Sequence, residues 1–376
     1  RSCDLGARRE GRISAMLVLI AILFMSLKDS APWWSVQASG SDANLRGVSV
    51  VLDAGKNDRL QYVIWASGSD GVILRSVDEG STWKQISVPN AGGLDFRDIE
   101  AFSADEAYVM SSGEGNKSRV YKTTDGGKTW KLQYSGTTPG LFLDSMACDS
   151  ETHCVALSDP VNGKFVVLNT NDREHWSELP SDKMPPALAK EGAFAASGTA
   201  IVMCDRGGIY FGTGGPAARV FRSLDQGRSW TVSETPIVSG TASSGIFSIA
   251  CEGPDDLVAV GGDYKNANDD NRVAIYSDDA GATWHLAEAQ PGGYRSAVAS
   301  FSYGDFAAVG PNGTDISHDK GIHWRHTEKL NLNAVAFEST SGWGVGPKGA
   351  VARFETHFQY QIRREDGSRV VVGGAR

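Results

Sequence analysis

The sequence predicts an all-β chain folded as a seven-bladed β-propeller, with an N-terminal strand that closes the last blade. Three observations predict it: a tryptophan-terminated octet that recurs along the chain, four short β-type runs per repeat, and a last unit whose missing outer strand is found at the other end of the sequence. The octets are SVDEGSTW at 76–83, TTDGGKTW at 123–130, SLDQGRSW at 223–230, SDDAGATW at 277–284 and SHDKGIHW at 317–324. A sixth, NTNDREHW at 169–176, keeps the tryptophan but aligns Asn171 with the aspartate and Arg173 with the glycine. Successive octet tryptophans lie 47, 46, 54, 54 and 40 residues apart, a period that marks a repeat architecture.

Each octet reads as a hairpin tip. The carboxylates of Asp78, Asp125, Asp225, Asp279 and Asp319 are placed to accept hydrogen bonds from backbone N–H groups a residue or two ahead, and the glycine two positions on permits the positive φ that closes the turn. The tryptophan then opens the next strand, where its indole fills the gap between neighbouring sheets. These five aspartates are therefore assigned a structural role.

The blades follow from the text between octets. Seven apolar openings are present: LRGVSVV from 45, FRDIEAF from 96, FLDSMAC from 142, GAFAASG from 192, IFSIACE from 246, YRSAVAS from 294 and LNAVAFE from 332. Four short runs per unit is the pattern of a propeller blade. The seventh unit ends at GWGVGPKGAVARFE without a tryptophan strand, whereas WSVQASG at 34–40 matches WKLQYSG at 130–136 in four of seven positions. The N-terminal segment is thus expected to supply the outer strand of the last blade, so that the ring leaves only short edges. The propeller is expected over residues 32–358, with a loosely ordered tail at 359–376.

Residues 1–31 read as a leader. Arg8, Arg9 and Arg12 precede the apolar run ISAMLVLIAILFMSL, the layout of a signal peptide or an uncleaved signal anchor. Cleavage is expected upstream of Trp33 or not at all, because a cut after Ala38 would remove the closing strand. The protein is accordingly expected to be exported, periplasmic or extracellular, or anchored by this segment. Cys148 and Cys154 flank DSETH between two strand-like runs and are disulfide candidates across a hairpin. Cys204 and Cys251 fall in adjacent repeats, and the sequence leaves open whether they pair.

A formal charge of -9 excludes a phosphate-tracking nucleic-acid binder. Yet the openings concentrate positive charge. Aligned by their apolar cores, they bring Arg46, Arg97, Leu143, Glu191, Phe247, Arg295 and Asn333 to one level of the central channel. The next level is Gly47, Asp98, Asp144, Gly192, Ser248, Ser296 and Ala334. Arg46, Arg97 and Arg295, with Asn333, form a candidate carboxylate-binding site, since a guanidinium holds a carboxylate bidentately. Asp98, Asp144 and Glu191 are the candidates for acid–base work. The competing reading is a water-filled channel in which those arginines and carboxylates pair with one another.

The octets resemble Asp-box (BNR) repeats, found in sialidases and other propellers. Leader, seven blades and N-terminal closure together are similar to the photosystem II stability/assembly factor family over roughly residues 33–358. That resemblance implies a non-catalytic lumenal or periplasmic protein that binds newly made membrane-protein subunits; separately, the chain is expected to be a monomer. The sialidase resemblance implies the alternative, a glycoside hydrolase whose arginine triad holds a sugar acid. A retaining sialidase uses a tyrosine nucleophile; Tyr294, next to Arg295, is expected by strand alternation to point away from the channel.

Other motifs carry little. GTGGPA at 212–217 matches a dinucleotide pattern but precedes a strand instead of a helix, so no cofactor is expected. His318, His323 and His326 cluster in sequence without sharing a strand face, and the loop DYKNANDDN at 263–271 lacks calcium-ligand spacing, so no metal is expected.

Overall fold

The computed structural model describes residues 33–54, 59–355, 357–363 and 369–375; the proposed leader lies outside them. Seven four-stranded antiparallel sheets form a β-propeller, the fifth extended by one short strand. The innermost strands of blades one to seven are Leu45–Ala54, Asp95–Ala101, Leu143–Cys148, Ile201–Cys204, Thr241–Glu252, Ala297–Ser302 and Ala334–Glu338. Each packs against the innermost strand of both neighbouring blades, which closes the circle. Six of these seven match a predicted opening. The fourth does not: GAFAASG is an irregular crossing, and blade four starts later, at Ile201.

Closure occurs where it was expected. Trp34–Gln37 pairs antiparallel with Val351–Phe354, with Trp34 opposite Phe354 and Gln37 opposite Val351. Trp34 is buried, its Nε1 donates to Thr314 Oγ1 of blade six at 2.9 Å, and its ring meets Phe354 edge-on at 5.1 Å. Gln37 joins blade seven to blade one: its Oε1 accepts from Trp343 Nε1 at 3.1 Å and its Nε2 donates to the Glu79 carbonyl at 3.0 Å. Beyond the propeller, His357–Arg363 and Arg369–Ala375 pair as two antiparallel strands.

Two systems hold the blades together. Among the described residues, an apolar cluster fills each of the seven blade interfaces, for example Trp65, Ile73, Phe96 and Ile99 between blades one and two. Beside them runs a circle of polar contacts from one innermost segment to the next. The Ala101 amide donates to Ser49 Oγ at 3.0 Å, Met146 to Asp98 Oδ2 at 2.6 Å, and Ile201 to Ser145 Oγ at 2.9 Å. Then Ile249 donates to the Thr199 carbonyl at 2.9 Å, and Val298 to Ser248 Oγ at 2.9 Å. Ser296 Oγ donates to the Asn333 carbonyl at 2.7 Å, and Asn333 Nδ2 to the Leu45 carbonyl at 2.8 Å, back at blade one. Small polar side chains recur at this level because each must reach a backbone group on the adjacent sheet without leaving it unpaired.

The octets are the hairpins between third and fourth strands. In blade four, Asp225 Oδ1 accepts from the Ser229 amide at 2.8 Å and from Ser223 Oγ at 2.9 Å, while Oδ2 accepts from Ser229 Oγ at 2.6 Å. The amide partner lies four residues on, further than the sequence suggested. The same clasp recurs at Asp78, Asp125 and Asp279, and His323 supplies it at Asp319. In blade three the aspartate is Asp172, not the aligned Asn171: Asp172 Oδ1 accepts from Thr170 Oγ1 at 3.4 Å and from the His175 amide at 2.8 Å. That copy is one residue short, and the turn keeps its carboxylate by sliding one position.

Cys148–Cys154 and Cys204–Cys251 are both bonded, the first across the predicted hairpin and the second between the inner ends of blades four and five.

Two outcomes follow. Trp34→Ala empties a buried site on the closing strand and is expected to cost about 3–5 kcal/mol in a denaturant titration. The clasps hold Asp125, Asp225 and Asp279 down at about 2, through hydrogen bonds from the Thr or Ser four residues on that outweigh burial at Asp279. A depressed folded-state value contributes stability above the ordinary carboxylate range and loses it as pH falls through the folded value. Hence the difference in melting temperature between the parent and Asp225→Ala should hold from neutral pH to about 4 and shrink toward pH 2.

Candidate functional site

In an up-and-down blade, the hairpins joining strands three to four share one face of the ring, and the entries into the innermost strands lie on the other. The octets therefore face away from the mouth where Arg46, Arg97 and Asn333 sit. The backbone explains how side chains at this mouth are aimed. In blades one, two and three the pairing slips at the start of the innermost strand, between Leu45 and Gly47, Phe96 and Asp98, and Leu143 and Ser145; in blade five, whose innermost strand begins earlier, it slips midway, between Ile246 and Ser248. The residues at the slips are Arg46, Arg97, Asp144 and Phe247. A β-bulge re-aims its extra residue out of the ladder, and here it recurs at the same level of four blades.

The predicted level is therefore partly rearranged. Blade three contributes Asp144, whereas Leu143 is buried in the cluster shared with blade two. Blade six has no bulge at this level; Arg295 is fully buried and paired with Asp315, to which its Nε donates at 2.5 Å. Its Nη1 also donates to Asn312 Oδ1, and Asn312 Nδ2 donates to the Ala267 carbonyl at 3.1 Å. Arg295 is thus a strut inside blade six, and its neighbour Tyr294 takes the place at the mouth, the reverse of the alternation expected. Burial lowers the Arg295 pKa, and Asp315 opposes that shift.

Glu191 also leaves the ring. It lies in the approach to blade four and forms a buried ion pair with Arg219, whose Nε donates to Oε1 at 2.8 Å. The crossing that follows it spans the channel. The Ala193 amide donates to Asp159 Oδ1 of blade three at 2.9 Å, and the Ala195 carbonyl accepts from Arg97 Nη1 of blade two at 2.5 Å. The Ala196 carbonyl accepts from Arg46 Nη1 of blade one at 3.3 Å, and Ser197 Oγ donates to the Ser296 carbonyl of blade six at 2.8 Å. Gly198 has φ +79, and a Cβ there would collide with the Asp98 carboxylate. Residues 193–199 therefore plug the mouth side of the channel that the sequence reading left open to water.

Above the plug lies a cleft of about 380 Å³. Its walls include Arg46, Arg97, Ser296, Asn333, the plug residues Phe194 to Ala196, and the rings of Phe247, Tyr264 and Tyr294. No carboxylate is among those walls. Arg97 leans on Asp95, to which Nε donates at 2.7 Å. Arg46 has no carboxylate within ion-pair distance among the described residues; burial and then the nearby Arg97 hold its pKa below the usual arginine range. Phe194 stacks on Phe247 with centroids 3.8 Å apart, and Tyr294 meets Phe247 edge-on at 4.7 Å.

Neither Asp98 nor Asp144 opens onto this cleft. Asp98 is buried, with its oxygens accepting from the Ile99 and Met146 amides, and burial followed by Glu100 pushes its pKa well up. Asp144 is buried with Oδ2 unbonded, and burial followed by nearby Asp159 raises it likewise. Tyr294 is held neutral by burial, its nearest charged influence being Arg46. His318, His323 and His326 face three different carboxylates, Asp305, Asp319 and Asp315, and no metal-ligand group of three occurs among the described residues. Residues 212–217 form a blade loop whose Gly214–Gly215 pairs with the innermost strand of blade five. The loop at 263–271 turns on Asp263, which caps the Lys265 amide at 3.0 Å, and delivers Tyr264 to the cleft.

The plug, Phe194 and Tyr264 were missed from sequence. The available signal was aromatic clustering at blade starts, in GAFAASG, IFSIACE and YRSAVAS.

Known proteins match this geometry at different depths. The structure aligns with that of YCF48 bound to D1 peptide at a TM-score of 0.60 and 15% identity, covering 87% of this chain and 96% of that one. YCF48 from Cyanidioschyzon merolae aligns at 0.58 and 15%, covering 85% and 98%. At these identities the likeness speaks for the fold alone. A Paenibacillus xyloglucanase is 22% identical over 247 residues, 57% of this chain and 23% of that protein; a vacuolar protein sorting/targeting protein 10 from Colletotrichum graminicola is 30% identical over 81 residues, 22% and 5%. The chain thus spans less than a quarter of the length of these curated relatives. The model of the photosynthesis system II assembly factor YCF48 family matches residues 61–291, more than half of the sequence, and the chain belongs to that family.

Proposed function

We propose that this protein is a non-enzymatic assembly factor, which holds an acidic segment of a membrane-protein subunit in the cleft above the plug. Arg46 carries the reading. It is a half-buried guanidinium with no carboxylate within ion-pair distance among the described residues; burial and then Arg97 disfavour its charged form, Asp95 offsets this only in part, and an arriving carboxylate would relieve the rest. The cleft wall itself carries no carboxylate, and the nearby Asp95 is engaged by Arg97. Family membership supports a protein-binding role, and the solved complex of YCF48 with D1 peptide supports a membrane-protein subunit as the kind of partner. The leader sequence supports action outside the cytoplasm; the protein is taken to act as a monomer, and the octet face lies on the side of the ring away from the cleft.

A glycosidase reading is less well supported. Asp98, Asp144 and Glu191 are committed to backbone contacts, burial or an ion pair, and none of them lines the cleft. No cofactor or metal is required by the binding role.

The test is an affinity capture of the tagged full-length protein from gently solubilised native membranes, with Arg46→Glu/Arg97→Gln alongside. Expected is a membrane-protein subunit recovered by the parent and lost by the variant, with both proteins melting cooperatively. Equal recovery by both would remove the cleft from the function. Arg295→Gln should behave differently, losing about 3–5 kcal/mol of stability because it removes the guanidinium from the buried Asp315 carboxylate. Asp144→Asn should leave capture intact. Because a raised carboxylate pKa destabilises the fold at neutral pH and ceases to do so as pH falls, this variant should melt no lower than the parent at pH 8, with its advantage disappearing in acid.

A further inference from the structure

We infer that the cleft selects a carboxylate that lies beside an aromatic side chain of the same acidic peptide, with Tyr264 as the ring that makes the choice; this rests on the binding role proposed above. The two halves of the cleft are chemically distinct. On one side stand Arg46 and Arg97. On the other, Phe194 lies parallel to Phe247, and Tyr294 and Tyr264 meet Phe247 edge-on at 4.7 and 6.1 Å. Aromatic rings add to one another in edge-to-face or offset contacts, so a further ring can join such a set wherever one of its members is exposed. Phe247 and Tyr294 are buried, whereas Tyr264 is 48% exposed at the rim. It is therefore the member of the set that an arriving side chain meets first.

Size and charge narrow the occupant. A volume of about 380 Å³ lies at the small end of ligand pockets, enough for a carboxylate and one large side chain and not for a folded element. The positive side favours an anion, since Arg46 has no carboxylate within ion-pair distance among the described residues. Moreover, the two guanidiniums are already oriented by successive plug carbonyls, those of Ala196 and Ala195, so the acid is received at a fixed distance from the rings. The plug contributes to both halves, presenting carbonyls to the arginines and Phe194 to the ring stack. A peptide with acid and aromatic groups one or two residues apart satisfies both halves at once; an acidic peptide of glycine and serine satisfies one.

The experiment uses fluorescence anisotropy with three blocked, labelled synthetic peptides of equal length in a glycine–serine background: one with a single glutamate, one with glutamate followed by phenylalanine, and one with phenylalanine alone. They are titrated with the parent, Tyr264→Ala and Arg46→Gln, each checked for a parent-like thermal transition. The parent should prefer glutamate–phenylalanine over glutamate alone by about tenfold. Tyr264→Ala should lose that preference while keeping its affinity for the glutamate peptide, and Arg46→Gln should weaken both acidic peptides by tenfold or more. Equal affinity of the parent for the two acidic peptides, or an equal loss on both in Tyr264→Ala, overturns the aromatic selection and leaves the arginine reading standing. If no acidic peptide binds, or Arg46→Gln changes neither affinity, the carboxylate reading falls and this inference falls with it.

Discussion

A ring of twisted sheets exists only if the last sheet meets the first, and every other feature here depends on that closure. Apolar packing between blades is generic and tolerates small rotations. The circle of polar contacts among innermost segments is not: Ser49, Asp98, Ser145, Thr199, Ser248, Ser296 and Asn333 each spend a group on the adjacent blade, so the angular step between sheets is set by hydrogen-bond length. Once that step is fixed, a seventh sheet completes the circle, and a strand from the far end of the chain is needed to make it whole.

The same circle explains why the acids near the axis of the molecule do not reach the cleft. Acidic and hydroxyl side chains near the axis are engaged in holding blades together. Asp98 illustrates the conflict: an acid that accepts two backbone amides in a dry interface is unsuited to proton transfer with a bound substrate. The residues left facing the cleft are three of the four at the bulges, Arg46, Arg97 and Phe247, together with what the plug and the loops add.

Much of the fold was legible because it is written in a local code. The clasped octets need aspartate, a small hydroxyl or histidine, glycine and tryptophan at fixed spacing, and WSVQ repeats the spacing of WKLQ closely enough to betray the closing strand. The failures have one physical origin. Side-chain direction in a strand depends on register, and a one-residue slip exchanges the faces. Nothing local distinguishes FRDIEAF, which bulges at Arg97, from YRSAVAS, which does not bulge at Arg295. GAFAASG likewise has a strand's composition but is drawn across the channel, where Arg46 and Arg97 take two of its carbonyls. In blade three the alignment followed the tryptophan and counted back to Asn171, whereas the turn is organised by its carboxylate, Asp172.

The closing strand also sets a timetable. Trp34 is among the first described residues to leave the ribosome, and Phe354, its partner, among the last. The contact between them spans nearly the whole chain, the most costly loop to close and the slowest kind of pairing to find. Until then six complete blades and one incomplete blade stand as an open arc with bare strand edges at its ends. The first strand made is thus the last to be seated, and the molecule is committed to its shape only when synthesis of the propeller is over.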